Sequence, residues 1–281
     1  MGNAIIYGAT TTGKGVYANV HEKYNILYFV DGDSRKHGTK VFGLDVKSPD
    51  SIFTTEVDVV IMGILTGWEE VVEYLISKGF PEERIVCQYV DLSSRARVAF
   101  LENAARILKE RDVQGAVAEL GVYRGDFAKE INRVFPQRDL YLYDTFEGFP
   151  AEDFLFEMDN GLILNDVGKF ADTSEDYVLS RMPNKEKCII RKGYFPDSAS
   201  TDSYSGGRFA FVNIDVDLYK PLFAGLEYFW PRLNINGYLL VHDYFSLSYS
   251  GAKKAIEEFS EKNHLVYSPI GDTLSVIFVK N

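Results

Sequence analysis

Short apolar runs, each closed by a glycine or an acid and followed by a stretch with helical spacing, recur along the chain. Residues 4–7, 25–30 (NILYFV), 58–62 (DVVIM) and 84–89 read as buried strands, with a helix starting over 16–22 and an amphipathic helix over 68–78. Strands that alternate with helices imply a small parallel sheet. The polar run DLSSRAR at 91–97 reads as a boundary. Residues 98–111 read as a helix, with Phe100, Leu101, Ala104, Ala105 and Leu108 on one side.

From Val113 the pattern restarts, with strands over 117–120, 140–143, 187–191, 209–214 and 238–241 and a helix over 127–134. The end differs, because 264–269 and 273–279 are joined by Gly271-Asp272, which is hairpin chemistry and implies a reversed strand near the sheet edge. The expected fold is α/β: a small Rossmann-like domain over 1–90, a linker and connecting helix over 91–112, and a second Rossmann-like domain over 113–281. The second would carry a mostly parallel seven-stranded sheet ending in an antiparallel hairpin strand.

Composition narrows the class. The 281 residues are 46% hydrophobic and 25% charged, which suits folded globular domains. A formal charge of −11 with scattered Lys and Arg argues against a nucleic-acid partner. Cys87 and Cys188 each lie in an apolar run, as buried thiols in a reducing compartment do. No apolar stretch is long enough for a membrane span, and MGNAIIYGATTTGKG lacks a secretory pattern. The expectation is a cytoplasmic protein without membrane insertion, homo-oligomerisation being left open.

Two glycine-rich turns are candidates for ligand chemistry. In the first, GATTTGKG, Gly15 replaces the hydroxyl residue of a P-loop, and Thr10 stands where a dinucleotide fold has its middle glycine, although Asp31 falls 23 residues after Gly8. The second, VAELGVYRGDFAKE, carries Glu119 at a strand end, then Gly121 and Gly125 before a helix whose unpaired N–H groups face a ligand. Asp144 ends the next strand, 23 residues after Gly121, where an acid can accept ribose hydroxyls. NAD(P) stays compatible, but S-adenosylmethionine (SAM), which has no phosphate and carries positive charge, suits Glu119 better. The fourth strand of this half ends in Asp215-Val216-Asp217 and the fifth in His242-Asp243. In a parallel sheet these ends meet beside the glycine turn, and carboxylates with few histidines suit Mg²⁺. His21, His37 and His264 are assigned no role.

The ordered set AELGVYRGD, YDTFEGFP, FADTS, KGYFPDS, NIDVDLYKP and GYLLVHDY resembles the macrocin O-methyltransferase family over 98–280. That resemblance implies a class I SAM-methyltransferase fold and methyl transfer to a sugar hydroxyl with a divalent metal. Glu119, Gly121, Tyr123, Gly125, Asp144, Thr145 and Phe146 would line the SAM pocket, with Gly193 and Tyr194 near the adenine. Asp172, Thr173 and Ser174 would belong to a closing loop, and the aromatic-rich insertion 150–181, with Phe154, Phe156 and Phe170, is a candidate lid. Asp215, His242 and Asp243 would hold the metal, while Asp215, Asp217 or His242 would act as base. His242 departs from the family's acidic pair, which bears on the choice of metal. The first ninety residues resemble the small N-terminal modules attached to bacterial sugar-modifying and polysaccharide enzymes. The acceptor stays open among a nucleotide sugar, a glycan and a glycosylated natural product. A tandem-Rossmann NAD(P) oxidoreductase and a non-catalytic sugar-nucleotide-binding protein are the alternatives.

Overall fold

The computed structural model describes residues 1–65, 67–162, 170–200, 209–246 and 249–281. Part of the insertion read as a lid, 163–169, therefore lies outside the described residues. The chain divides into two compact units, Met1–Arg95 and Ala96–Asn281.

The first unit contains β1 (Asn3–Tyr7), α1 (Thr11–Val20), β2 (Asn25–Val30), β3 (Lys40–Val41), β4 (Leu44–Lys47), β5 (Val59–Met62), α2 (Trp68–Ser77), β6 (Ile85–Val86) and the start of α3 (Gln88–Glu110). Its sheet runs β3-β4-β2-β1-β5-β6 and is parallel apart from the β3–β4 pair. Successive residues of β1 feed opposite cores: Ile5 and Tyr7 pack with Val60, Met62 and Leu75, whereas Ala4 and Ile6 pack with Val16, Val20 and Ile61. Both faces are covered, which explains why the strands read as unbroken apolar runs.

In this unit the glycine turn is a packing device. A Cβ on Gly13 would stand 1.8 Å from the Gly8 carbonyl oxygen, and one on Gly8 2.5 Å from that of Gly63. Asp31 accepts N–H groups from Ala9 at 3.0 Å and Asp33 at 2.9 Å and pairs with Lys36 at 2.9 Å, so it pins the loops around it.

Two expectations are corrected here. The strand read over 84–89 stops at Val86, and the helix read from 98 starts at Gln88, running through the polar stretch in which the two compact units part, between Arg95 and Ala96. That stretch is the solvent face of a helix: Asp91 and Arg95 pair one turn apart at 2.6 Å, while Val90, Leu101, Ala104 and Leu108 are buried. The β3–β4 hairpin was not foreseen. Its two turn residues, Phe42 and Gly43, lie at φ 52° and 81°, a conformation whose usual Asn-Gly or Asp-Gly signature is missing.

The second unit contains β7 (Ala116–Leu120), α4 (Asp126–Val134), β8 (Leu140–Asp144), α5 (Ala151–Asp159), α6 (Glu175–Arg181), β9 (Cys188–Lys192), β10 (Phe209–Ile214), α7 (Tyr219–Arg232), β11 (Leu233–Val241), α8 (Ser250–Asn263), β12 (Ser268–Pro269) and β13 (Val276–Val279). The seven strands run β12-β13-β11-β10-β7-β8-β9, and β13 lies antiparallel to both β11 and β12. On one face, Leu120, Ile214 and Val241 pack against Leu222, Leu226 and Phe229 of α7 and Ile256 and Phe259 of α8. On the other, Val117, Leu142 and Phe211 pack against Leu101 and Leu108 of α3 and Ala128 and Ile131 of α4. Each such buried Val, Leu, Ile or Phe side chain contributes about 1.5–3 kcal/mol.

The strand expected over 264–269 shortens to Ser268–Pro269, because His264 caps α8 at φ 53° and the chain needs several residues to turn. In contrast, β11 starts at Leu233 instead of 238, its polar NING segment carrying an irregularity at Asn236, φ 63°.

Candidate active site

The site follows from register. Leu120 lies opposite both Ile214 and Tyr143, and Ile214 opposite Val241. The next residue of each strand, namely Gly121, Asp144, Asp215 and His242, therefore emerges at the same level of the carboxyl edge. The backbone ladder runs one step further, with Asp215 N–H donating to Leu120 O at 2.8 Å and His242 N–H to Ile214 O at 2.9 Å. Gly121 turns at φ 86°, and a Cβ there would lie 2.0 Å from the Asp215 carbonyl oxygen.

Asp144 holds the glycine turn together. Its Oδ2 accepts the N–H groups of Val122 at 2.7 Å and Tyr123 at 2.8 Å, and its Oδ1 accepts that of Phe146 at 2.7 Å. Both Tyr123 and Phe146 have left-handed backbones, at φ 49° and 55°, which these bonds stabilise. Thr145 Oγ1 donates to Gly148 O at 2.9 Å and shapes the same turn, while Phe146 is buried in the core. Gly125 caps α4 at φ 76°.

The chain after the insertion closes onto this turn. Tyr123 Oη donates to Asp172 Oδ1 at 2.7 Å, Arg124 Nη2 meets Asp172 Oδ2 at 2.6 Å, and Thr173 Oγ1 donates to Tyr123 O. Phe170 packs edge-on to Tyr123 at 4.9 Å. Ser174 is the N-cap of α6, accepting Tyr177 N–H at 3.2 Å. Gly193 N–H donates to Asp144 O at 2.9 Å, and Tyr194 Oη reaches Asp153 at 3.3 Å.

Beside the turn is an acid centre. His242 Nδ1 lies 2.8 Å from Asp243 Oδ2 and 3.2 Å from Asp215 Oδ1. Ligand atoms of Asp215, His242 and Asp243 all fall within 4.8 Å of one another. Two carboxylates and an imidazole form a donor set that suits a divalent cation, which would take the place of the Nδ1 proton. Asp217 follows on the same loop at φ 60°.

Two residues of this centre were not foreseen. Arg97 Nη2 donates to Asp215 Oδ2 at 2.9 Å and to Asn213 Oδ1 at 3.0 Å, and Asn213 Nδ2 donates to Glu119 Oε1 at 2.8 Å. Asn213 had a signal, a polar residue inside the apolar run FAFVNI. Arg97 had none, lying in the stretch taken for a boundary.

Charge is distributed unevenly along this chain of groups. Burial, with Asp215 adding to it, raises the Glu119 carboxyl well above its ordinary range, despite Arg97 and Asn213. Its Oε2 is buried without a hydrogen-bond partner among the described residues. Burial would raise Asp215 as well, but His242 and Arg97 overcome it and hold the carboxyl below its usual range. Burial opposes the imidazolium of His242, yet Asp215 and Asp243 lift it to about 10. Free of a cation, the centre at neutral pH thus has an ionised Asp215 and a protonated His242.

A doubly wound sheet with a reversed β13 and a nucleoside-type turn at its carboxyl edge is the class I methyltransferase fold. The family model described as Macrocin-O-methyltransferase (TylF) matches residues 89–279, and the chain belongs to that family. A second model, described as C2185-like, N-terminal, matches residues 1–86.

Similar proteins include the demethyldecarbamoylnovobiocin O-methyltransferase of Streptomyces niveus, 27% identical over 176 residues, which cover 58% of this chain and 65% of that one. Another is the mycinamicin III 3''-O-methyltransferase of Micromonospora griseorubida, 27% identical over 163 residues, or 54% of this chain and 62% of that one. The chain thus spans just under two thirds of the length of these curated relatives.

Among solved structures, the O-methyltransferase NovP aligns with a TM-score of 0.54 at 22% identity, over 66% of this chain and 80% of its own. The calicheamicin methyltransferase CalS11 aligns with a TM-score of 0.57 at 16% identity, over 75% and 90%. These likenesses are of fold.

Proposed function

We propose that the protein is a SAM-dependent O-methyltransferase acting on a sugar hydroxyl of a nucleotide sugar, a glycan or a glycosylated natural product, with a divalent cation, Mg²⁺ by preference. The observation that carries this reading is the contact of Gly121 with the backbone of Asp215, which sets the cofactor turn against the acid centre. The names of the two curated relatives, both O-methyltransferases, support it. In this reading 113–281 form the catalytic domain, 91–112 the connection and 1–90 a separate Rossmann-like module.

Bound SAM supplies an electrophilic methyl group, and a cation held by Asp215, His242 and Asp243 lowers the pKa of the acceptor hydroxyl. The protein's own residues do the placing. The turn Gly121–Gly125, braced by Asp144, leaves open backbone for the nucleoside, and the buried, unpartnered Oε2 of Glu119 suits the cationic methionine end. Tyr123, Thr145, Phe146, Asp172, Ser174, Gly193 and Tyr194 shape the walls of that pocket. Asp217, on the loop that follows Asp215, takes the hydroxyl proton, and the segment anchored by Asp172 limits water access.

Incubation with labelled SAM, Mg²⁺ and a panel of nucleotide sugars, followed by mass spectrometry, should show the gain of one methyl on one of them. Asp215→Ala should abolish transfer while calorimetric SAM binding survives. Binding of a nicotinamide dinucleotide without SAM binding would sink the reading, and full activity in EDTA would remove the cation from it.

A further inference from the structure

Arg97 enters the acid centre from α3. It is neither a nucleophile nor a base, and nothing in the reaction as described uses it. Three features fix its position. The guanidinium bridges Asp215 Oδ2 at 2.9 Å and Asn213 Oδ1 at 3.0 Å. Its Cζ lies 4.1 Å from the centroid of the Phe127 ring, a cation–π contact. Its side chain is only 14% exposed, and Asn213 in turn is tied to Glu119. These contacts hold Nη2 and the guanidinium face, while Nε is buried without a hydrogen-bond partner among the described residues.

Its consequence is a division of Asp215. Oδ2 belongs to Arg97, and Oδ1 faces His242 Nδ1 at 3.2 Å, inside the three-residue set that suits a cation. We infer that Arg97 is a positioning residue that shares Asp215 with the cation: it turns Oδ1 toward His242 and Asp243, and its fixed positive charge holds the cation affinity of the set down. With Arg97 in place, the two carboxylates of the set keep a net charge of about one negative unit toward a divalent ion, and without it about two. This inference rests on the cation part of the proposed function and not on methyl transfer itself.

The test titrates the full-length protein with Mn²⁺ at one fixed pH, following free Mn²⁺ by electron paramagnetic resonance, with SAM calorimetry and circular dichroism as fold controls. Arg97→Gln, which keeps a donor and removes the charge, should bind Mn²⁺ at least about tenfold tighter than the parent. Arg97→Lys, which keeps the charge, should stay within about threefold of it. Equal or weaker Mn²⁺ binding by a folded Arg97→Gln protein overturns the inference and leaves the cation site standing. If Arg97→Gln fails to fold, a tenfold change in Arg97→Lys overturns the inference equally. Absence of Mn²⁺ binding in both the parent and Arg97→Gln overturns the cation site and the inference together, with methyl transfer judged separately by the mass-spectrometric assay.

Discussion

Gly121 lies directly beneath the backbone carbonyl of Asp215, so that a Cβ would stand 2.0 Å from that oxygen. The neighbour is backbone at the end of a central strand, held there by the Asp215 N–H bond to Leu120 O, and φ 86° is itself unfavourable for an L side chain. Gly121→Ala should therefore cost about 3 kcal/mol or more of stability. Chemical denaturation checks this, and a loss under about 1 kcal/mol would show that the strand ends are further apart.

Asp144 accepts three backbone N–H groups through its two carboxylate oxygens. Asn at this position would turn an NH₂ group toward at least one of those donors. Asp144→Asn should lose about 2–4 kcal/mol of stability, since buried donors without acceptors are costly. SAM affinity measured by calorimetry should fall about a hundredfold, because the turn on which the proposed pocket is built is lost.

Asp172 behaves differently, since it is 63% exposed and its partner Arg124 34%. An exposed pair of this kind contributes about 0.2–1 kcal/mol, so Asp172→Ala should leave the melting temperature nearly unchanged. Its bonds to Tyr123 and Arg124 nevertheless tie the segment to the glycine turn. Faster SAM release in stopped-flow, by about tenfold, is the expected result, and an unchanged rate would remove this segment from the pocket.

Glu157 gives a pH-dependent prediction. Its side chain is fully buried, Oε1 accepts Tyr219 N–H at 2.7 Å, and Oε2 has no hydrogen-bond partner among the described residues. Burial raises its carboxyl above the ordinary range, against the opposing Tyr219 N–H and nearby lysines. A carboxyl raised on folding contributes stability that is full below its unfolded pKa, about 4.3, and is lost as pH rises through the folded value. Glu157→Gln keeps the acceptor and removes the titration. Its stability relative to the parent should thus improve as pH rises above about 4.3, and a difference that is flat with pH, measured by urea unfolding, would show that Glu157 is not strained by burial.

Much of the fold was legible because its signals are local. Both parallel sheets bury their strands on two faces, so the runs at Asn25–Val30 and Phe209–Ile214 were continuous and found with their bounds intact. The hairpin at the end announced itself through Gly271-Asp272. What failed was also local in cause. The first turns of α3 carry polar residues on their solvent face, so the helix was read from 98 and not from Gln88, and the Phe42-Gly43 turn lacks the usual signature.

By itself the sequence determined where strands end, and so which residues, Gly121, Asp144, Asp215 and His242, can stand at one sheet edge. It did so because continuous apolar runs stop where burial stops. Only the tertiary structure decided what those ends do to one another. Asp144 spends its oxygens on backbone N–H groups, and Asp215 is divided between Arg97, from another element entirely, and His242. Hydrogen bonds between residues more than a hundred positions apart depend on register and packing, and no spacing along the chain encodes them.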